Sequence, residues 1–84
     1  MSYLVYGKVI KPVPLPDGKG HNRIVKPQTT FRALNYQGQR VTKLADADDY
    51  AEREDAQMAI DKAEAYWESR GYKGHIAFEI RKAK

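Results

Sequence analysis

The sequence predicts an α+β fold: a small two-layer sandwich whose antiparallel or mixed sheet of three to four strands carries one long helix on one face. Three observations lead there. Between Ala51 and Gly71, the residues Ala56, Ala59, Ile60, Ala63 and Trp67 recur at helical spacing and share one face. Residues 74–82, GHIAFEIRK, alternate, with Ile76, Phe78 and Ile80 on one side and His75, Ala77, Glu79 and Arg81 on the other. Residues 2–11, SYLVYGKVIK, are apolar on both faces, as a central strand requires.

The chain of 84 residues, 42% of them hydrophobic, is expected to be a single domain spanning 1–84, near the size at which one core suffices. With no cysteine there is no disulfide framework and no thiolate zinc site. No apolar run is long enough to cross a bilayer and no charged-then-apolar leader opens the chain. A cytoplasmic location without a membrane partner is the expectation.

Taken in order, the first strand presents Tyr3, Val5 and Val9 on one face and Leu4, Tyr6, Lys8 and Ile10 on the other. Gly7 between them marks a bulge or a close backbone approach. Residues 11–28 break the regularity: Pro12, Pro14 and Pro16 force extended backbone, and Asp17-Gly18 supplies turn chemistry. This Pro/Gly-rich basic segment is either a projecting arm, with Val13 and Leu15 opposite Ile24 and Val25, or a mobile loop. Residues 29–36 and 40–44 read as a hairpin turning at Gln37-Gly38. Its Phe31, Ala33 and Leu44 side is expected to meet the helix, leaving Arg32, Leu34, Tyr36, Val41 and Lys43 outside; a shift of one residue reverses that assignment. Asp46, Asp48 or Asp49 is expected to cap the helix. At the other end Gly71 stops it, and Tyr72 folds back as the apolar partner of the stop. The element order is therefore strand, arm or loop, strand, strand, helix, strand.

Charge is segregated along the chain. Residues 1–45 hold eight Lys/Arg against one acid, residues 46–70 nine acids against three bases, and residues 71–84 four bases against one acid. The helix is an acidic bar and the remainder is basic.

Catalytic signatures are lacking. His21 and His75 are the two imidazoles. His75 is about 13 Å along the strand from Glu79, beyond direct contact, and reads as a plain surface residue. The aspartates before the helix lack the glycine and distant glutamate of an EF-hand loop. Glu64 and Glu68 lack a histidine partner for metal, and the GKG at 18–20 lacks the Lys-Ser/Thr of a phosphate cradle. No enzyme activity, cofactor or metal is expected.

What stands out is the company of bases and aromatics: Lys11, Lys19, His21, Arg23 and Lys26 in the arm, and Arg32, Tyr36, Arg40 and Lys43 on the hairpin. Cations of this kind neutralise phosphates and aromatic rings stack on bases. The stretch RALNYQGQRVTKL followed by AEREDAQMAIDKAEAYW is loosely similar to the arm-type DNA-binding domains of tyrosine integrases, in which three strands enter the major groove and a helix backs them. It covers about half the chain, and the Pro-rich segment and the strand after the helix depart from that pattern. The expected function is a small non-enzymatic module that contacts nucleic acid through the arm and hairpin. The alternative is a protein-binding regulator or inhibitor, a phage-like accessory protein, using an exposed sheet face, a sheet edge or the Pro-rich loop. Edge-to-edge pairing into a homodimer is a variant of the latter.

Overall fold

The computed structural model describes residues 2–16, 20–36, 38, 41 and 43–83. Strand β1 (Ser2–Val9) is followed by β2 (Val13–Pro16), β3 (Asn22–Val25), β4 (Arg32–Ala33), a single 3-10 turn at Leu44–Asp46, β5 (Asp49–Tyr50), the helix α1 (Arg53–Ser69) and β6 (Ile76–Ala83). All pairings are antiparallel, in a four-stranded and a two-stranded sheet. The α+β architecture expected from the sequence is the one observed.

β1 is the centre. β6 pairs with it along its whole length, from Ser2 opposite Ala83 to Val9 opposite Ile76. The other edge is shared by two short strands laid end to end: β5, with Tyr3 opposite Tyr50, and β4, with Gly7 opposite Arg32. Leu34 N–H donates to the Val5 carbonyl between them (2.9 Å). At the end of the strand, Gln28 takes over: its N–H donates to the Val9 carbonyl (2.7 Å) and its Oε1 accepts from the Val9 N–H (3.1 Å). A side-chain amide thus completes the ladder where no strand lies alongside.

The helix packs against β1, β5 and β6. Ala56 and Ile60, 0% and 6% exposed, meet Val5 and Leu34 in the core, ringed by Tyr3, Tyr50, Ala59, Phe78 and Ile80. The small residues of the helical stripe bring α1 close to the sheet, and Ile60 fills the gap. Gly7 serves the same close fit, since a Cβ there would lie 3.1 Å from Leu34 Cδ1 and 3.6 Å from Phe78 Cδ1. The helix ends as expected. Gly71, at φ +85°, donates to the Glu68 carbonyl (3.0 Å) and Tyr72 N–H to that of Trp67 (2.8 Å), the paired bonds of a Schellman stop. The Tyr72 ring folds back edge-on to Trp67, 6.0 Å between centroids.

The described residues of the segment 11–28 include two paired legs of an arm. Val13 pairs with Val25, Pro14 with Ile24, Leu15 with Arg23 and Pro16 with Asn22. Proline has no N–H, so Pro14 and Pro16 fit only the pairs that exchange no ladder bonds; Val13–Val25 and Leu15–Arg23 carry the bonding. The outward positions of β2 therefore offer no donors, which blunts that edge against strand addition. The tip residues Asp17, Gly18 and Lys19, where the turn was expected, lie outside the described residues.

Three local expectations are corrected. The hairpin faces are reversed: Leu34 is in the core under the helix, Arg32, expected outside, pairs with Gly7 and falls on that same helix side, Ala33 sits opposite Tyr6 on the far side, Phe31 lies there too, beside Lys8, and Leu44 is exposed. The bond from Leu34 to Val5 sets this parity, which the sequence leaves open by one residue. Residues 40–44 do not read as a strand where described. Val41 N–H reaches the Ala33 carbonyl (3.0 Å) and the chain then enters the 3-10 turn at Leu44; Gln37, Gln39, Arg40 and Thr42 lie outside the description. The helix is not capped by an aspartate. Its N-cap is Glu52, without a side-chain capping bond. Asp49 is drawn into β5 opposite Leu4, and the Asp48 carboxylate accepts from Tyr36 N–H (2.7 Å). Pairing of β5 with β1 outcompetes capping for these residues.

The core assignment separates two helix positions sharply. Ile60→Ala is expected to cost about 2–5 kcal/mol by opening a cavity beside Val5. Met58→Ala, at a position 61% exposed, is expected to stay within about 0.5 kcal/mol. Urea denaturation followed by circular dichroism measures both, and equal losses would contradict the packing of α1 on β1.

Candidate nucleic-acid interface

The arm projects from the end of β1, and its base is pinned. Ile10 and Lys11 N–H groups both donate to the His75 carbonyl (2.9 and 3.1 Å), and His75 Nδ1 lies 3.1 Å from the Pro12 carbonyl oxygen. The His75 ring is also edge-on to Tyr72, 5.3 Å between centroids. His75 is thus a half-buried link between the start of β6 and the arm, not the plain surface residue expected from its outward position. Val13, fully buried, closes the base.

Lys11, His21, Arg23 and Lys26 belong to this arm, and all four are exposed. Lys11 begins the outgoing leg; Arg23, in β3, faces Leu15; Lys26 heads the return toward Gln28 and β4. Arg32 is exposed on β4, opposite Gly7 at the sheet margin, and Lys43 is exposed just before the 3-10 turn. Lys19 and Arg40 lie outside the described residues. Among the described residues, the ion pairs are Lys73 with Glu68 (3.7 Å) and Arg81 with Glu79. Neither engages a cation of the arm or of β4. The carboxylates of α1, including Glu54, Asp55, Asp61 and Glu64, are exposed on the helical layer. The separation of charge along the sequence is thus kept at the level of elements.

Tyr36 is exposed at 63% but engaged. Its hydroxyl donates to the Asp49 carbonyl (2.8 Å), its backbone N–H to Asp48, and its ring meets Tyr50 edge-on at 5.2 Å. These contacts fasten the turn around Gly38 to β5. They also bring the Asp48 carboxylate to that end of the molecule, so Tyr36 is a latch there and not a free stacking ring. The Tyr50 phenol is held above the ordinary tyrosine value of 10.0, first by burial and then by the negative charges of ionised Tyr36 and of Asp48.

Sequence reasoning missed a second cluster, on the sheet face that carries no helix. Lys8 Nζ lies 4.9 Å from the Phe31 ring centroid, and the Arg81 guanidinium 4.1 Å from that of Tyr6 and 5.8 Å from that of Phe31. Glu79 accepts from the Arg81 Nε and is its ion-pair partner. Alternation puts Tyr6 with Lys8 within β1 and Arg81 on the outward side of β6, and the pairing of Leu4 with Arg81 joins the two. The parity of Phe31 is not legible in the sequence, and Phe31 is the ring both cations share.

Two shallow grooves lie between α1 and β6. One, of about 190 Å³, is lined by Trp67, Tyr72 and Phe78 among others; the second, of about 390 Å³, by Gln57, Ile60 and Ile80 among others. The first also holds the Lys73–Glu68 ion pair at its rim. Among the described residues no cluster of three or more His, Asp or Glu is placed to hold a metal ion, and no helix is long and apolar enough to cross a membrane. Protein-family models, curated proteins and solved structures give no match to this chain.

The environment of Tyr50 makes a pH prediction. Because the folded state holds the phenol above 10.0, the stability it contributes is present below the ordinary value. It is lost as pH rises through the raised one. Tyr50→Phe is expected to leave the thermal midpoint near neutral pH little changed and to flatten its alkaline decline. Melting curves at stepped pH test this; an unaltered decline in the variant would place the sensitivity elsewhere.

Proposed function

We propose that this chain is a small non-enzymatic nucleic-acid-binding module that presents its cations from the arm and the β4 margin. The observation that carries the reading is the sorting of charge. Among the described residues, Lys11, Arg23, Lys26, Arg32 and Lys43 are exposed and outside the ion pairs, while Glu54, Asp55, Asp61, Glu64 and Glu68 ride on the helix. Phosphates neutralised by such cations release counterions, which makes affinity fall steeply with salt. A two-stranded arm is slim enough to follow a groove or a phosphate backbone, and its donor-poor proline edge disfavours pairing with a protein strand.

A salt titration of oligonucleotide binding is the direct test. A clear negative slope of log affinity against log salt is expected, and Arg23→Ala and Lys26→Ala should each lower its magnitude by about one. A slope near zero, or variants that bind as the parent does, would remove the basis for the proposal.

One observation favours a second reading, a protein-binding regulator. β6 pairs with β1 over eight residues, and no strand among the described residues pairs with its outer edge. That edge offers a template for strand addition by another protein or by a second copy. If this is its use, amide hydrogen exchange in Ile76–Ala83 slows in the complex, after nuclease treatment. Exchange unchanged there while a partner is bound would exclude the edge.

A further inference from the structure

We propose that the helix-free face of the sheet binds single-stranded nucleic acid, with bases stacking at Tyr6 and Phe31 and phosphates meeting Lys8 and Arg81. This rests on the nucleic-acid reading above and adds the form of the strand and the place of its bases. The face is built from neighbouring positions of three strands. Tyr6 of β1 has Ala33 of β4 on one side and Glu79 of β6 on the other. Lys8 is two residues further along β1, and Arg81 two further along β6. The small side chains of Ala33 and Ala77 leave the rings standing above their surroundings.

Each ring already holds a flat or compact cation on its electron-rich face, within 4.1 to 5.8 Å of its centroid. A nucleobase uses the same surface: it stacks on the ring or on the Arg81 guanidinium. The long stems of Lys8 and Arg81 then carry their charges to the flanking phosphates. Lys11, just past the end of β1, continues that cationic path toward the arm.

Two competitors fit this face less well. A duplex keeps its bases stacked on each other and offers their edges in the grooves, so it leaves the two partly buried rings without a partner. An apolar protein surface would bury Lys8 without a counter-charge, a penalty that a phosphate removes.

The test is anisotropy titration of the full chain with labelled oligothymidine, oligouridine and a duplex of equal length. Either single strand should bind more tightly than the duplex. Phe31→Leu and Tyr6→Leu should weaken single-strand binding roughly five- to hundredfold, while Phe31→Tyr and Tyr6→Phe retain it. Circular dichroism of each variant verifies folding. In the parent protein, photocrosslinking to iodouridine-substituted single strand should give adducts at Tyr6 or Phe31, a readout that needs no variant. Duplex preference, with adducts confined to the arm, would overturn the stacking surface and keep the nucleic-acid reading. Absence of binding to all three probes would overturn both.

Discussion

β1 is hydrogen-bonded on both sides for its full length, by β6 on one edge and by β5, β4 and Gln28 in succession on the other. The distant parts of the chain are tied together by that one strand. It brings residue 83 beside residue 2, residue 50 beside residue 3 and residue 28 beside residue 9. An interior strand with both edges occupied leaves no backbone group unsatisfied, so its side chains can be apolar on both faces. The constraint also explains what its neighbours give up. Asp49 is held opposite Leu4 and is unavailable to cap α1, and the segment 29–34 is held with Leu34 inward.

The second consequence concerns the layers. An 84-residue chain has enough helix to cover one face of this sheet, so the other must tolerate water. It does so with long cationic side chains lying across aromatic rings, which shield apolar carbon while keeping charge exposed. Several acids sit on the helical layer, where those in the first turn of α1, Glu54 and Asp55, favour its positive end even without a capping bond. Charge sorting thus has a structural origin in part: acids suit the start of the helix, and Lys and Arg suit a sheet face that lacks a second layer.

The parts of this architecture legible in the sequence are those with strong periodicity or strict backbone demands. The alanine stripe, the alternation of Ile76, Phe78 and Ile80, and the Gly71–Tyr72 stop each depend on residues near one another in the chain. The arm was legible as one of two forms, because three alternating prolines and a turn sequence specify extended legs without fixing their pairing. What escaped depends on parity between distant segments. Whether Phe31 or Leu34 faces the helix is decided by a bond to Val5, some thirty residues away. The cluster of Tyr6, Lys8, Phe31 and Arg81 inherits that ambiguity, because alternation places Tyr6 with Lys8 and strand register adds Arg81 and Phe31.

A face that is covered by its own cations is selective in what it can accept. Lys8 and Arg81 are held by ring contacts and, for Arg81, by a half-exposed carboxylate, interactions of modest strength that a ligand can exchange for its own. The exchange is favourable when the ligand brings both a flat apolar surface for the rings and negative charge for the displaced heads. A purely anionic ligand gains nothing from the rings, and a purely apolar one strands the charges. The chemistry that meets both demands at spacings of a few ångströms is an unpaired base with its flanking phosphate. The arm, by contrast, offers exposed charge with Ile24 as its one large apolar group at 63% exposure, and so can contribute attraction to a polyanion without reading its bases. On the proposed reading the two surfaces would divide the work of a single-strand binder, electrostatic capture on the arm and base contact on the sheet.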